Sequence, residues 1–283
     1  MKRRQIKKMK NVYNQAHAQF HSSHFNEAIK LLTRSAQGGY HPSMLTLGRL
    51  YYWGKGVPTD VDKAIFWLQR AADKGSRSAH YSLGKIYFTM IAPDKVLSGV
   101  HLCDEDFYMS QRKQLSTQQL RILAFDHFCM AHDPLWMGIM NYEAGNEEWA
   151  KDNFSFAFEK KADPLSALYL WRITSDSTWY EIGRNLLGES ATNWNDWAYT
   201  LCEWGEYAKA LPYIEKALSM EKENEISPEF LDTYAECLYG LDRKQEAKQF
   251  FQKCLESYNN RNNSLMRRVT LIKIQQKFNY EAQ

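Results

Sequence analysis

The chain of 283 residues is 44% hydrophobic and 24% charged, which excludes an intrinsically disordered polymer. Only 7 Pro and 14 Gly occur, too few for the many turns of an all-β sandwich, and this scarcity points to helices. The net charge is +3, but residues 1–10 hold six Lys/Arg and no acid, so the remainder stands at −3 and lacks the basic surface that nucleic acid requires.

No run reaches the ~18 consecutive apolar residues of a membrane span, so no membrane insertion is expected. The basic start from Met1 to Lys10 is not followed by the apolar stretch of a secretory signal. Five cysteines, Cys103, Cys129, Cys202, Cys237 and Cys254, are widely spaced and form no C-x-x-C. Free thiols in a reducing, cytoplasmic setting follow, with neither a disulfide framework nor a zinc site.

Apolar spacing, caps and breakers predict helices at about 5–22, 25–37, 42–53, 60–74, 78–90, 117–131, 134–144, 147–161, 164–174, 178–187, 191–204, 207–221, 228–240, 243–258 and 262–279. Residues 1–10 read as a basic tail or the frayed start of the first helix. Over residues 11–89 a repeat is plain. Ser43–Tyr51 returns as Ala79–Tyr87, and the same shift of 36 carries Ala28, Ala36, Gly39 and Gly48 to Ala64, Ala72, Gly75 and Gly84. Leu47 and Tyr51 share one helix face, and Gly48 beside them lets a neighbouring helix approach closely. Pro42 opens its helix, Asp60 caps the next, and Gly75 closes it.

Residues 90–116 break the rhythm. Pro93 and Gly99 interrupt them, while Leu97, Val100, Leu102, Phe107, Tyr108 and Met109 give reason to expect partial packing. Residues 117–189 read as degenerate helical repeats, with helix starts at Asp133-Pro134 and Asp163-Pro164 and a capping box at Thr178–Glu181. Residues 190–260 have their own period, since Ala210 and Ala217 recur as Ala247 and Cys254 at a shift of 37. Ser227-Pro228-Glu229 supplies an N-cap, a first-position proline and a first-turn acid. Residues 261–283 read as a C-terminal capping helix.

The stretch from Ser43 to Gly75 resembles the Sel-one-like repeat, a relative of the tetratricopeptide repeat. It follows A-x-x-x-L-G-x-x-Y-x-x-G-x-G-V-x-x-D-x-x-K-A-x-x-W-x-x-x-A-A-x-x-G, with Ser43 in place of the first Ala and every other position kept, Lys63, Ala64 and Trp67 among them. Gly205–Leu211 is similar to the turn and second-helix start of the tetratricopeptide repeat, although Lys222 stands where that pattern has proline. The resemblance implies an all-α, right-handed α-solenoid of antiparallel helix pairs. It also implies a non-catalytic scaffold or adaptor, bacterial in type, that binds a protein or peptide client.

Candidate chemistry is sparse. His17, His21 and His24 share a helix end at metal-ligand spacing, but the residues between the first two are Ala-Gln-Phe, with no Glu to serve as base. His101 with Cys103, and His127 with Cys129, lack any nucleophile signature. No phosphate-binding glycine loop occurs, and Gly54 and Gly56 belong to the repeat turn. The expectation is no catalytic residue, no cofactor and no metal. A metal-dependent enzyme using the His-rich first repeat stays as an alternative. So do nucleic-acid association through the basic tail, and a client-specific chaperone or toxin-neutralising binder.

If the resemblance holds, the first helices line a concave groove. Counting from the small residue of each first helix places there Tyr13, His17 and Phe20; Leu45, Arg49 and Tyr52; Tyr81, Lys85 and Phe88; Ile139 and Tyr142; Tyr169 and Arg172; Asn195, Tyr199 and Cys202 with Glu203; and Asp232, Glu236 and Tyr239. Arg49, Lys85 and Arg172 make the earlier part cationic, and Glu203, Asp232 and Glu236 make the end anionic. The expected ligand has the opposite polarity. The competing reading for each aromatic is inter-repeat core.

Overall fold

The computed structural model describes residues 3–91, 115–222, 226–260, 270–271, 273–275 and 277–278. These residues form two compact units, 3–91 with 115–132, and 133 onward. The first holds α1 (Arg3–His21), α2 (Phe25–Gln37), α3 (His41–Trp53), α4 (Val61–Ala72), α5 (Arg77–Ile91) and α6 (Thr117–Ala131). The second holds α7 (Pro134–Glu143), α8 (Glu147–Lys161), α9 (Pro164–Thr174), α10 (Ser177–Asn185), α11 (Ala191–Glu203), α12 (Tyr207–Ser219), α13 (Pro228–Gly240) and α14 (Lys244–Asn260). Residues 270–271, 273–275 and 277–278 are also helical, and no strand occurs among the described residues. The irregular segment expected at 90–116 lies, from 92 to 114, outside the described residues; Met90 and Ile91 still belong to α5.

The chain adopts the all-α repeat fold expected of it. Short loops turn each helix back on the one before, which packs α1 on α2, α3 on α4, α7 on α8, α11 on α12 and α13 on α14. First helices of successive pairs also touch, α3 on α5, α9 on α11 and α11 on α13. Each pair therefore buries an apolar face it cannot bury alone.

Local chemistry sets the helix ends. The Asp60 carboxylate accepts the Lys63 backbone N–H at 2.9 Å, after a loop in which Gly54 takes the left-handed φ of 64°. Asp133 and Asp163 cap α7 and α9 by accepting from Trp136 N and Ser166 N, each helix having proline in its first turn. Ser116 and Gln119 form a reciprocal capping box at α6. Two expectations need correction. The box at Thr178–Glu181 does not form, because Asp176 lies closer to the helix start and its carboxylate accepts the Thr178 N–H at 2.9 Å. Ser227 stands at the N-cap of α13, but its hydroxyl donates to the Glu229 carboxylate instead of accepting a backbone N–H.

One packing motif recurs through both units. A Cβ built on Gly48 would lie 2.5 Å from Leu68 Cγ, one on Gly84 2.8 Å from the Phe128 ring, and one on Gly138 2.6 Å from the Phe154 ring. In each case a large side chain of the second helix lies against the backbone of the first. The same large residue always stands four after a buried alanine of its own helix: Ala28/Leu32, Ala64/Leu68, Ala124/Phe128, Ala150/Phe154, Ala210/Ile214 and Ala247/Phe251. Four residues is about one turn, so the alanine and the large side chain share one face. Each such burial contributes about 1.5–3 kcal/mol.

The α5–α6 pair adds a polar contact. Nδ1 of His80 and Nδ1 of His127 are 2.8 Å apart, so one carries the hydrogen and donates to the other. The Tyr87 ring stacks on His127 at 5.6 Å. Burial, then the neighbouring His80, pushes His127 down to about 4, against the opposing pull of Asp126. Burial also lowers His80, opposed by Asp73.

Gly48→Ala should lose about 1–3 kcal/mol of stability by overpacking Leu68, despite the ~1 kcal/mol that alanine gains in helix propensity. Urea unfolding decides it, and a stabilised variant would contradict the close approach. The His127 shift makes a second expectation. The unfolded chain takes up this proton near the ordinary 6.5 and the folded chain only near 4. Stability is therefore full above about 6.5 and declines as pH falls through that window. Melting temperatures from pH 7.5 to 4.5 should show this slope, and His127→Gln should flatten it.

Candidate functional site

The residues expected to line a groove fall into two sets, one per unit. In the first unit Tyr13 lies edge-on to His17 at 4.5 Å and to Tyr40 at 5.4 Å. Phe20 packs on Phe25 at 5.0 Å beneath the Lys55 ammonium. Leu45 is half-buried, while Tyr52 and Phe88 are buried. Arg49 is exposed, and its Nε donates to Ser82 Oγ at 3.3 Å, joining α3 to α5. The Lys85 ammonium sits over the Tyr81 ring at 5.7 Å. The rings of His17 and His21 are 6.4 Å apart. Among the described residues no group of three or more His, Cys, Asp or Glu is placed to hold a metal.

The second unit brings its set together more closely. Tyr142 of α7 meets Tyr169 of α9 at 5.4 Å, and Tyr169 meets Trp204, just past the end of α11, at 5.1 Å. The Arg172 guanidinium lies over Trp204 at 5.4 Å and reaches the Glu206 carboxylate at 3.9 Å. Ile139, Tyr169, Tyr199 and Cys202 are buried in this packing, Cys202 beside Cys237. Burial raises the Tyr199 phenol far above its usual range, and the surrounding Glu203, Asp232 and Glu236 add to this. Those four side chains, from α11 and α13, thus share one small region. Burial likewise raises Tyr169, with Glu143, Tyr142 and Glu203 contributing.

The acidic end is occupied by the chain itself. Lys273 donates to Asp232 Oδ2 at 2.6 Å and lies 3.5 Å from Glu236, and Lys277 reaches Glu236 at 2.8 Å. The Lys277 ammonium also lies 4.4 Å over the Tyr239 ring, and the Tyr239 hydroxyl donates to the Lys277 carbonyl. Ile274 and Phe278 pack on the cluster of Ala235, Leu238, Ala247 and Phe251. The Lys273 side chain is only 12% exposed. Its burial works against the charge, but Asp232 and Glu236 more than offset this and hold the ammonium above the usual lysine range. Among the described residues, Asp232 Oδ1 and Asn195 Oδ1 have no hydrogen-bond partner, in residues 3% and 2% exposed.

Sequence reasoning missed Trp204, Lys273 and Lys277. Trp204 closes the helix expected at 191–204 but falls outside the positions counted from Ala198. A Lys-x-x-x-Lys-Phe run opposite a row ending in Asp and Glu was the available signal for the lysines.

Residues 25–40 and 41–76 match the Sel1 repeat family model. Residues 25–76 thus carry Sel1-type repeat sequence, within an all-α repeat fold. A tetratricopeptide repeat protein of Parabacteroides merdae ATCC 43184 superposes with a TM-score of 0.51 at 13% identity, over 93% of this chain and 98% of that one, a likeness of fold alone. In sequence, the chain is 36% identical over 63 residues to the ERAD-associated E3 ubiquitin-protein ligase component HRD3A of Arabidopsis thaliana. That match spans 22% of this chain and 9% of the plant protein. No helix among the described residues is long and apolar enough to cross a membrane.

Asp232→Ala, which strips Lys273 of its main anion, should destabilise this unit by about 3 kcal/mol. Removing both charges in D232L/K273M should cost less than either single change. Urea titrations of the three variants test this, and a cost for the pair equal to the sum of the singles would contradict a buried ion pair.

Proposed function

We propose that this chain is a non-catalytic scaffold that holds a protein or peptide client on the first-helix faces of its repeats, in a cytoplasmic setting. Sel1 and tetratricopeptide repeats generally mediate protein–protein interactions. The observation that carries the reading is the acidic and aromatic face of the second unit, where Asp232, Glu236 and Tyr239 already receive a basic helical segment. That contact has the chemistry of a peptide-recognition surface: charged pairs partly shielded from water beside aromatic anchors. Arg49 and Arg172, both exposed, are offered as client contacts in their respective units. The plant relative is itself named as a component of a ligase, in keeping with an assembly role for the shared repeats.

The test is quantitative affinity purification from the source cell with wild type, R49E, R172E and a control at the exposed Lys151 of α8, K151E. Recovery of a defined client set should fall at least fivefold for R49E or R172E and stay unchanged for K151E. Equal recovery from all four chains would sink the proposal.

A further inference from the structure

Resting on that reading, we infer that the acidic face of the second unit recognises a basic amphipathic helix with two lysines four residues apart followed by an aromatic, and that the segment bearing Lys273, Lys277 and Phe278 occupies it as an internal competitor. The occupant displays the recognition rule. Lys273 and Lys277 lie one helical turn apart and meet Asp232 and Glu236, which are likewise four apart on α13. Phe278, next to the second lysine, stands edge-on to Tyr239 at 5.4 Å.

Two features mark this as more than a helix cap. The face is matched to a pair of cations: the Lys273 ammonium lies 2.6 Å from Asp232 and 3.5 Å from Glu236, and Glu236 also holds Lys277 at 2.8 Å. Asp232 Oδ1 and Asn195 Oδ1, both almost fully buried, accept no hydrogen bond among the described residues. Buried acceptors left in this way cost stability until a donor arrives, so a ligand with a further donor would gain what the internal segment forgoes. Displacement by a like segment also keeps the buried carboxylate paired, so exchange avoids the penalty of exposing an uncompensated charge to the interior. The client class is therefore a lysine-rich helical segment of another protein, and the chain's own C-terminal region sets how readily it enters.

The probe is a fluorescein-labelled synthetic peptide of residues 266–280, titrated by anisotropy into full-length wild type and into K273E/K277E, whose internal segment is repelled by the face. The peptide should bind K273E/K277E at least tenfold more tightly than wild type. Adding D232N/E236Q should abolish that binding, and a peptide with both lysines replaced by glutamine should not bind. Equal affinity for both chains, with circular dichroism showing K273E/K277E folded, overturns the inference, as does binding that ignores the lysines. If K273E/K277E does not fold, hydrogen–deuterium exchange of the wild-type chain decides instead. Saturating peptide should speed exchange at 270–278, and unchanged exchange overturns the inference. Client recovery that depends on Arg49 or Arg172 without any peptide binding counts against this inference alone. Peptide binding with no client dependence supports it and counts against the scaffold reading alone.

Discussion

Everything in this molecule depends on how closely the two helices of a pair approach. Gly48, Gly84 and Gly138 present bare backbone, and Leu68, Phe128 and Phe154 fill the space that a side chain would take. Where the first helix offers alanine instead, as at Ala198 and Ala235, the partners are Ile214 and Phe251 in the same register. Close packing of this kind tolerates little change in volume, which makes each pair a rigid unit. Rigid pairs keep the outward side chains of successive first helices in a fixed row. The proposed binding face of each unit is thus a by-product of the lock behind it.

Much of this was legible from residues alone. The helix starts at Asp133-Pro134 and Asp163-Pro164 were readable because a capping carboxylate and a first-turn proline act locally. The repeat from Ser43 to Gly75 was readable because each small residue recurs at one offset. Thr178 misled for an equally local reason: Asp176, two residues earlier, is an alternative cap, and one sequence cannot rank two adjacent acceptors. The groove was only half legible. Helical counting found Tyr199, Glu203, Asp232 and Glu236, which share one region, but could not tell that Asn195, Tyr199 and Asp232 are buried. Burial is set by what arrives from elsewhere in the chain, and Lys273 arrives from 41 residues away.

The acidic end shows how a repeat protein can carry charge inside. Asp232 alone would be a poor core residue, since an unpaired buried carboxylate is costly. Lys273 makes it tolerable, since its ammonium meets the carboxylate at 2.6 Å. The Tyr239 ring serves Lys277 in a related way, with a π-face in place of a second anion. Arg172 over Trp204 repeats that arrangement between α9 and the end of α11.

The alanine-plus-four lock also acts as a ruler. Helices packed this closely lie about 8–10 Å apart, whereas a helical chain advances ~1.5 Å per residue. A helical client laid across the first helices of the second unit would therefore meet a new one about every sixth residue. The spacing of its informative positions would be set by glycine and alanine residues that it never touches.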